Sequence, residues 1–277
     1  MKIIKKTHEL HQILGPIKDS KKSIGLVLTM GNIHEGHTSL LTEAKRNNDI
    51  VICTVFINPT QFNNIDDYNF YPKTLDEDIK KLKLNNCDLL FLPKVEDIYP
   101  DGLFKEKIVK KYRNILCDKF RPGHFDGVTT VVNTFFNIIK PNKSYFGEKD
   151  FQQIKLISEM VRLKKQNIDI IPCQSIKYDN GMSLSSRNSI FNLDQIKTFH
   201  SLAKKINIFV KFLKQKDPNI NFDDFKKDFL KIRINKIDYL DIRDENNLEI
   251  TNNYSNARLF IALYIDKIRI IDNFKLY

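Results

Sequence analysis

Along the first two-thirds of the chain, short runs of apolar residues alternate with longer stretches in which apolar residues recur every three or four positions. The runs at residues 24–28, 49–57 and 88–92 are continuous rather than alternating in polarity. Successive side chains of a strand point to opposite faces of a sheet, so a continuous run predicts a strand covered on both faces. The stretch at residues 74–86 begins with capping-box spacing and continues with helical spacing, which predicts a helix. This order predicts an α/β fold with a Rossmann-like, doubly wound parallel sheet.

The pattern changes near residue 178. Helically spaced apolar residues predict two helices, separated by a break at Asp217-Pro218-Asn219. Short turns join the apolar runs that follow, which predicts a small antiparallel sheet from residues 238–243, 258–264 and 267–272. We therefore expect two domains, a Rossmann-like domain over residues 1–178 and a smaller α+β C-terminal domain over residues 179–277.

Composition allows a substantial core and a strongly positive surface. Hydrophobic residues make up 42% of the 277 residues, and the formal net charge is +11. A basic protein of this kind invites a nucleic-acid interpretation, but the lysines are interleaved with acids along predicted helices and no nucleic-acid-binding motif accompanies them. We therefore favour a solvated surface and expect no nucleic-acid partner. A small polyanionic substrate would also suit a positive field.

The cysteines and the apolar runs bear on the compartment. The four cysteines lie far apart without a C-x-x-C pair, which argues against a zinc site and against a disulfide scaffold. No apolar run approaches membrane-spanning length, and the N-terminus lacks a signal-peptide pattern. We expect a cytoplasmic protein with no membrane partner.

The strongest candidate for chemistry is the stretch from Thr29 to His37, which follows the first apolar run and precedes a predicted helix. A strand, a glycine-bearing turn and a helix N-terminus together present backbone N–H groups and a positive helix end to an anion. His34 and His37 stand on either side of Gly36, so both imidazoles can donate to phosphate oxygens. Taken alone, the two histidines would equally fit a metal pair or polar residues satisfied within the fold.

Three further loops carry residues suited to a phosphorylated ligand. Gln61 follows the second apolar run and Lys149 stands at a strand-to-helix junction. Ser185-Ser186-Arg187 offers two hydroxyls and a bidentate guanidinium. Each of these residues alone is more often an ordinary surface residue. Asp76 and Asp78 could approach Mg²⁺, although acids in the first turn of a helix usually interact with its dipole.

Together these loops resemble the pantothenate synthetase (pantoate–β-alanine ligase) family. The resemblance rests on five blocks that occur in the family's order over the first two-thirds of the chain, namely residues 29–37, 56–62, 121–128, 145–153 and 184–188. The last third resembles the family more loosely. Residues 180–183 read Asn-Gly-Met-Ser where the family usually has Asp-Gly-Leu-Ala, Lys177 stands where arginine is common, and Thr60 stands where methionine is usual.

The resemblance implies an enzyme of vitamin B5 and coenzyme A biosynthesis. It would condense (R)-pantoate with β-alanine at the expense of ATP, forming pantothenate, AMP and diphosphate through a pantoyl-adenylate. The family implies a homodimer and a second domain that covers the active site, with Mg²⁺ carried by the ATP phosphates rather than by a protein metal site. Two alternatives stay open: another nucleotidyltransferase with the same histidine loop, and a non-catalytic RNA-binding protein.

The same resemblance assigns site residues by their place in the matching blocks. His37 would be the proton donor to the leaving group or only a hydrogen-bond donor, and three other catalytic residues would hold phosphate, namely His34, Lys149 and Arg187. ATP would contact Met30, Gly31, Asn32, Ile33, His34, Glu35, Gly36, His37, Gly147, Glu148, Lys149, Asp150, Ile176, Leu184, Ser185, Ser186 and Arg187. Pantoate would contact Gln61, Gln153, Met30, Phe62 and Phe146. β-Alanine would contact Gln61 and Arg121, while Asn58 and Asp150 are expected to support nucleotide or phosphate.

Overall fold

The computed structural model describes residues 1–215 and 221–277, and its contacts divide the chain into two compact units. The first unit comprises Met1–Arg113 and Arg121–Gln174, and the second comprises Asn114–Phe120 and Ser175–Tyr277. The predicted helix break at Asp217-Pro218-Asn219 lies outside the described residues. No sequence pattern indicated that residues 114–120 join the second unit. The roles expected for the two domains stay predictions.

The first unit is built on a sheet of six parallel strands, which confirms the predicted doubly wound fold. In chain order the strands are β1 (Lys2–Ile4), β2 (Ile24–Thr29), β3 (Ile50–Val55), β4 (Leu89–Phe91), β5 (Lys143–Gly147) and β6 (Asp169–Cys173). Their spatial order is β1-β4-β3-β2-β5-β6, so the chain reverses direction across the sheet between β2 and β5. Ligands of such sheets bind outside the carboxyl ends of the strands at the reversal. Those ends carry the predicted histidine loop and Lys149.

The helices of the described residues are α1 (Thr7–Asp19), α2 (Glu35–Asn47), α3 (Ile65–Asn69), α4 (Leu75–Leu84), α5 (Val95–Ile98), α6 (Leu116–Phe120), α7 (His124–Ile139), α8 (Phe151–Leu163), α9 (Leu193–Lys214) and α10 (Phe222–Leu230). None of them is both long and apolar enough to cross a membrane. The close packing of α2 on β2 depends on Gly25, where an added Cβ would lie 2.6 Å from Asn48 Nδ2. The same Asn48 amide donates to the Tyr145 hydroxyl at 2.7 Å, which ties the end of α2 to β5.

The second unit carries an antiparallel sheet, as the apolar runs predicted. Its strands are β7 (Ile234–Asp244), β8 (Ala257–Ile265) and β9 (Ile268–Lys275), with β8 in the centre. Helix α9 contributes Phe199, Leu202 and Ile206 to the core over this sheet. Helix α6 joins the same unit, where the Cys117 thiol lies 3.1 Å from the Tyr239 hydroxyl. The predicted smaller α+β fold is thus confirmed.

Two leucines on α4 provide a test of which face of this helix packs into the core. Leu82 is fully buried in the core of the first unit, whereas Leu84 is 82% exposed. We expect Leu82→Ala to lower the free energy of unfolding by about 2–5 kcal/mol, because it removes buried methyl groups and leaves a cavity. Leu84→Ala is the matched control and should change it by less than about 0.5 kcal/mol. Denaturant unfolding measures both, and equal losses would contradict the packing described.

Candidate active site

The loop after β2 is held in a sharply turned conformation. Gly31 and Asn32 have φ angles of +86° and +51°, so two successive residues are left-handed. The Thr29 hydroxyl donates to the Thr54 carbonyl at 2.8 Å and accepts from the Gly31 N–H at 3.2 Å. A left-handed Asn is unfavourable compared with glycine, so contacts elsewhere must hold this turn.

The main contact of this kind is the buried carboxylate of Asp78 on α4. Asp78 is 1% exposed and accepts from the Asn32 N–H at 2.9 Å and the Ile33 N–H at 2.7 Å. The Thr74 hydroxyl also donates to it at 3.2 Å. Neither sequence interpretation of Asp78, as a partner of the helix dipole or of Mg²⁺, included this contact. The carboxylate positions the residues that lead into the histidine pair.

The two histidines use their Nδ1 atoms to accept backbone hydrogen bonds at the start of α2. His34 Nδ1 accepts from the Gly36 N–H at 3.1 Å, and His37 Nδ1 accepts from the His34 N–H at 3.3 Å. The ring centroids are 4.1 Å apart. Gly36 permits this arrangement, since an added Cβ there would lie 2.8 Å from His34 Cε1. A neutral ring whose Nδ1 accepts carries its proton on Nε2, so both rings offer an Nε2–H donor.

Burial and nearby cations keep both imidazoles neutral. Burial lowers the pKa of His34 to about 4, and the charges of Lys149 and Lys81 add to the shift. The pKa of His37 is also well below its usual value, first through burial and then through His34 and the two lysines. Both rings therefore stay uncharged near pH 7 and act as hydrogen-bond donors rather than cations.

Two lysines flank this pair, and only Lys149 was predicted from the sequence to lie near phosphate. Lys149 lies in the turn Glu148–Asp150 between β5 and α8, as predicted. Lys81 is exposed, as expected for a solvated lysine-rich helix, but this side chain also contacts the histidine loop. Its ammonium donates to the Ile33 carbonyl at 2.5 Å. No pattern in the sequence distinguishes it from Lys80 and Lys83 beside it.

The Gln61 turn lies at the end of β3 and rests on a buried amide. Asn58 is 1% exposed, and its Oδ1 accepts from the Tyr99 hydroxyl at 2.8 Å. Its Nδ2 donates to Gln61 Oε1 at 3.2 Å. Asn58 therefore positions Gln61, and its expected support of nucleotide or phosphate stays a prediction. Tyr99 is a further member of this network that sequence reasoning missed, because nothing near it in the chain marks its partner.

Gln61 joins several loops of the first unit. Its Nε2 donates to Met30 Sδ at 2.8 Å, which links the end of β3 to the end of β2. Its backbone carbonyl accepts from His124 Nδ1 at 2.7 Å and from Arg121 at 3.5 Å. Arg121 also donates to His124 Nε2 at 3.0 Å. Gln61 and Arg121, which are both expected to contact β-alanine, are thus in direct contact with each other. The close approach of Gly127 to Thr60 completes the turn.

Adjacent glutamines at the start of α8 differ in their surroundings. Gln152 is 5% exposed and donates to the Tyr112 carbonyl at 3.0 Å. Gln153 is half-buried, and its amide has no hydrogen-bond partner among residues 1–215 and 221–277. Phe146, on β5, is 6% exposed, and Phe62 packs edge-on against Tyr68 with ring centroids 5.4 Å apart.

The remaining predicted residues belong to the second unit. A hairpin brings the Leu184 N–H to the Ile176 carbonyl at 3.0 Å. The Ser185 hydroxyl accepts from the Arg187 N–H at 3.3 Å, so it begins the short helix that carries Ser186. The Arg187 guanidinium donates to the Arg269 carbonyl at 3.4 Å. The short helix therefore begins directly after the hairpin, and both belong to the second unit.

Comparison with known proteins agrees with this arrangement. A sequence model of the pantoate-beta-alanine ligase family matches residues 2–275. The chain is 40% identical over 278 residues to the pantothenate synthetase of Thermosipho africanus, with 99% of each chain covered. It belongs to the pantoate–β-alanine ligase family. The predicted family and enzyme class are confirmed.

Two solved structures of pantoate–β-alanine ligases share the whole fold. The enzyme from Francisella tularensis, complexed with beta-gamma ATP and beta-alanine, has a TM-score of 0.87 and 37% identity, covering 100% of this chain and 98% of that one. Pantothenate synthetase from Thermus thermophilus has a TM-score of 0.89 and 30% identity, with 100% of both chains covered. The similarity therefore includes both units.

The departures from the pattern of this ligase family have local explanations in the structure. Ser183, where the family usually has alanine, donates from its N–H and its hydroxyl to the Asp272 carboxylate, each at 2.7 Å. Met182 is 1% exposed in the core of the second unit. The Lys177 ammonium lies 3.9 Å from the centroid of the Phe274 ring. Thr60, in place of methionine, donates to Asn58 Oδ1 at 3.1 Å and so stabilises the Gln61 turn.

The low pKa of His34 predicts a defined pH dependence. Unfolded histidine has a pKa near 6.5, so between about 6.5 and about 4 the unfolded chain binds a proton that folded His34 does not. Stability should fall as the pH is lowered through this interval, and His34→Asn should show a smaller fall. Long-range ¹H–¹⁵N NMR should also find both rings in the Nε2–H form. A His34 midpoint near pH 6.5, or an Nδ1–H form, would contradict the geometry.

Proposed function

We propose that this protein condenses (R)-pantoate with β-alanine and converts ATP to AMP and diphosphate through a pantoyl-adenylate. The observation that carries the proposal is the pair of neutral imidazoles beside Lys149, at the strand ends where a doubly wound sheet binds its ligands. The structure of the Francisella tularensis ligase with beta-gamma ATP and beta-alanine supports the same ligands for this chain.

In the first step a pantoate carboxylate oxygen attacks the α-phosphorus of ATP, and the bond to the β-phosphate oxygen breaks. Negative charge builds on the departing diphosphate, so the site must supply fixed donors and cations. We assign the Nε2–H groups of His34 and His37 to phosphate oxygens and the Lys149 ammonium to the leaving group. Because His37 is neutral near pH 7, it donates a hydrogen bond rather than a proton. No enzyme nucleophile takes part.

In the second step the uncharged amine of β-alanine attacks the acyl carbon, the bond from that carbon to the AMP oxygen breaks, and the amine gives up one proton to the departing AMP or to water as the amide forms. We assign the β-alanine carboxylate to Arg121, because a guanidinium can pair with it bidentately. The contact of Arg121 with the Gln61 carbonyl supports this role, since it holds the guanidinium beside a proposed pantoate residue. Gln61 would thus contact both substrates.

We place pantoate among residues from three strand ends. Gln61 and Gln153 have amides that both donate and accept, which suits a hydroxy acid. Met30 is bonded to Gln61, and Phe146 and Phe62 would enclose the geminal methyl groups. The amide of Gln153 supports the assignment, because it is half-buried and has no partner within the described chain.

ATP would contact residues 30–37 and 147–150 of the first unit, while the contacts expected of Ile176 and residues 184–187 stay a prediction. A Cβ on Gly147 would meet no heavy atom within 4 Å, so a ligand can approach this backbone closely. Mg²⁺ would arrive on the phosphate oxygens of ATP as part of the substrate. We also propose a homodimer, which rests on the family resemblance, and a cytoplasmic location, which the four free cysteines favour.

Two alanine substitutions test the proposed chemistry. We expect His37→Ala and Lys149→Ala each to lower pantoate-dependent exchange between ATP and diphosphate by roughly 30- to 1000-fold, because each removes a donor to the developing charge. His8→Ala and Lys5→Ala, at exposed positions of the first unit, are the controls. The assay also requires that exchange depend on pantoate and that AMP release rise with β-alanine. Near-normal exchange in both site variants would refute the assignment.

The adjacent glutamines of α8 separate binding from stability. Gln153→Ala should raise the KM for pantoate by roughly tenfold with little change in Tm, since the lost contact is to the substrate. Gln152→Ala should instead lower Tm, because it leaves the Tyr112 carbonyl without its donor. Steady-state kinetics and thermal unfolding measure both variants. An unchanged pantoate KM in Gln153→Ala would count against the proposed pantoate site.

A further inference from the structure

We infer that Asp78 and Lys81 are positioning residues of the adenylating site. Asp78 fixes the backbone of residues 31–33, and Lys81 fixes the His37 imidazole through the peptide that joins Ile33 to His34. The inference rests on the proposed function only in taking the histidine pair as the phosphate site. The contacts that carry it lie within the first unit.

The two residues stand three positions apart on α4, so their side chains share one face of the helix. That face lies against Ile33. The Asp78 carboxylate accepts from the Ile33 N–H at 2.7 Å, and the Lys81 ammonium donates to the Ile33 carbonyl at 2.5 Å. Both backbone polar groups of the residue before His34 are therefore bonded to α4. A shift of this helix would move the start of α2 with it.

Asp78 also accounts for the conformation of the turn. Its second oxygen accepts from the Asn32 N–H at 2.9 Å, so one carboxylate serves two successive N–H groups. Such a pair of N–H groups forms when the residues before them adopt a turned, left-handed backbone. Gly31 is needed here for a further reason, since an added Cβ would lie 3.1 Å from the same carboxylate oxygen. The charge of Asp78 therefore offsets the cost of the turn.

Lys81 acts one peptide further along. Its ammonium bonds to the carbonyl of the Ile33–His34 peptide, and the N–H of that same peptide donates to His37 Nδ1 at 3.3 Å. A cation on a carbonyl polarises the peptide and strengthens its N–H as a donor, because hydrogen bonds in series reinforce one another. The His37 Nδ1 is then held as an acceptor, and the proton stays on Nε2. Lys81 thereby keeps the donor directed at substrate.

Charge works in the same direction as this series of hydrogen bonds. The groups that bear on the histidine pair are Lys149 from the turn after β5, Lys81 from α4 and the neighbouring imidazole. The carboxylate of Asp78, also on α4, accepts hydrogen bonds from the backbone N–H groups of the turn. Removing the charge of Lys81 should therefore ease protonation of His34.

Substitutions of Lys81 test the series of hydrogen bonds directly. Lys81→Met keeps the length of the side chain and removes its charge and donor, Lys81→Arg restores both, and Lys80→Met is the exposed neighbour on the same helix. We expect Lys81→Met to raise the NMR midpoint of His34 above pH 4 and to lower kcat roughly tenfold, with little change in the KM for pantoate. In Lys81→Arg both the His34 midpoint and kcat should return most of the way to the values of the unsubstituted protein. Lys80→Met should match the unsubstituted protein in both.

A second variant tests the turn. Asp78→Asn should speed amide hydrogen exchange at Asn32 and Ile33 and lower kcat roughly tenfold or more, whereas Asp76→Asn, at an exposed position of α4, should do neither.

Unchanged histidine titration and tautomer in Lys81→Met would overturn the role of Lys81, and normal exchange at the two amides in Asp78→Asn would overturn that of Asp78. If Asp78→Asn does not fold, exchange at the same two amides in Thr74→Val, which removes the hydroxyl donor to Asp78, decides the point: it should speed up, and no change would overturn the role. The NMR readouts need no turnover, so an unsubstituted protein without pantoate-dependent activity would refute the proposed function and leave this inference to be judged separately.

Discussion

The geometry of the first unit's site depends on one buried carboxylate. Asp78 lies 46 positions after Asn32 in the chain, yet it accepts the hydrogen bonds that the turn after β2 cannot satisfy locally. Buried N–H groups without acceptors would cost free energy, so this contact stabilises the turn that precedes His34. Leu82 lies four positions further along α4 and is fully buried in the same core as Ile33, so it anchors the helix that carries Asp78. The core therefore fixes the histidine loop through α4.

Sheet topology then determines which loops meet. The strands β3 and β5 lie on either side of β2 and run parallel to it, so their carboxyl ends share one edge. Gln61 follows β3 and Lys149 follows β5, while the histidine loop follows β2 between them. The hydrogen bond from Gln61 to Met30 and the effect of Lys149 on His34 both follow from this arrangement. Residues more than a hundred positions apart thus act on one imidazole.

The sequence predicts those parts of the fold that leave a regular pattern of apolar and polar residues along the chain. Continuous apolar runs identified β2, β3 and β4, and the strand-to-helix turns identified the loops with His34, Gln61 and Lys149. It missed contacts that join one side chain to a distant backbone group, such as Asp78 to Ile33 and Lys81 to the same residue. It also missed the assignment of residues 114–120 to the second unit. Such contacts have no period, because only the folded chain brings the two partners together.

In this site the positive charge and the oriented hydrogen-bond donors come from different side chains. Two imidazoles whose centroids are 4.1 Å apart would repel each other if both were protonated, and burial further disfavours the charged forms. Positive charge therefore comes from Lys149 and Lys81, while the histidines supply Nε2–H donors whose orientation the backbone fixes. The unliganded site is therefore neutral at the rings and positive only at the lysines, so an incoming polyphosphate meets fixed donors and cations without prior proton uptake.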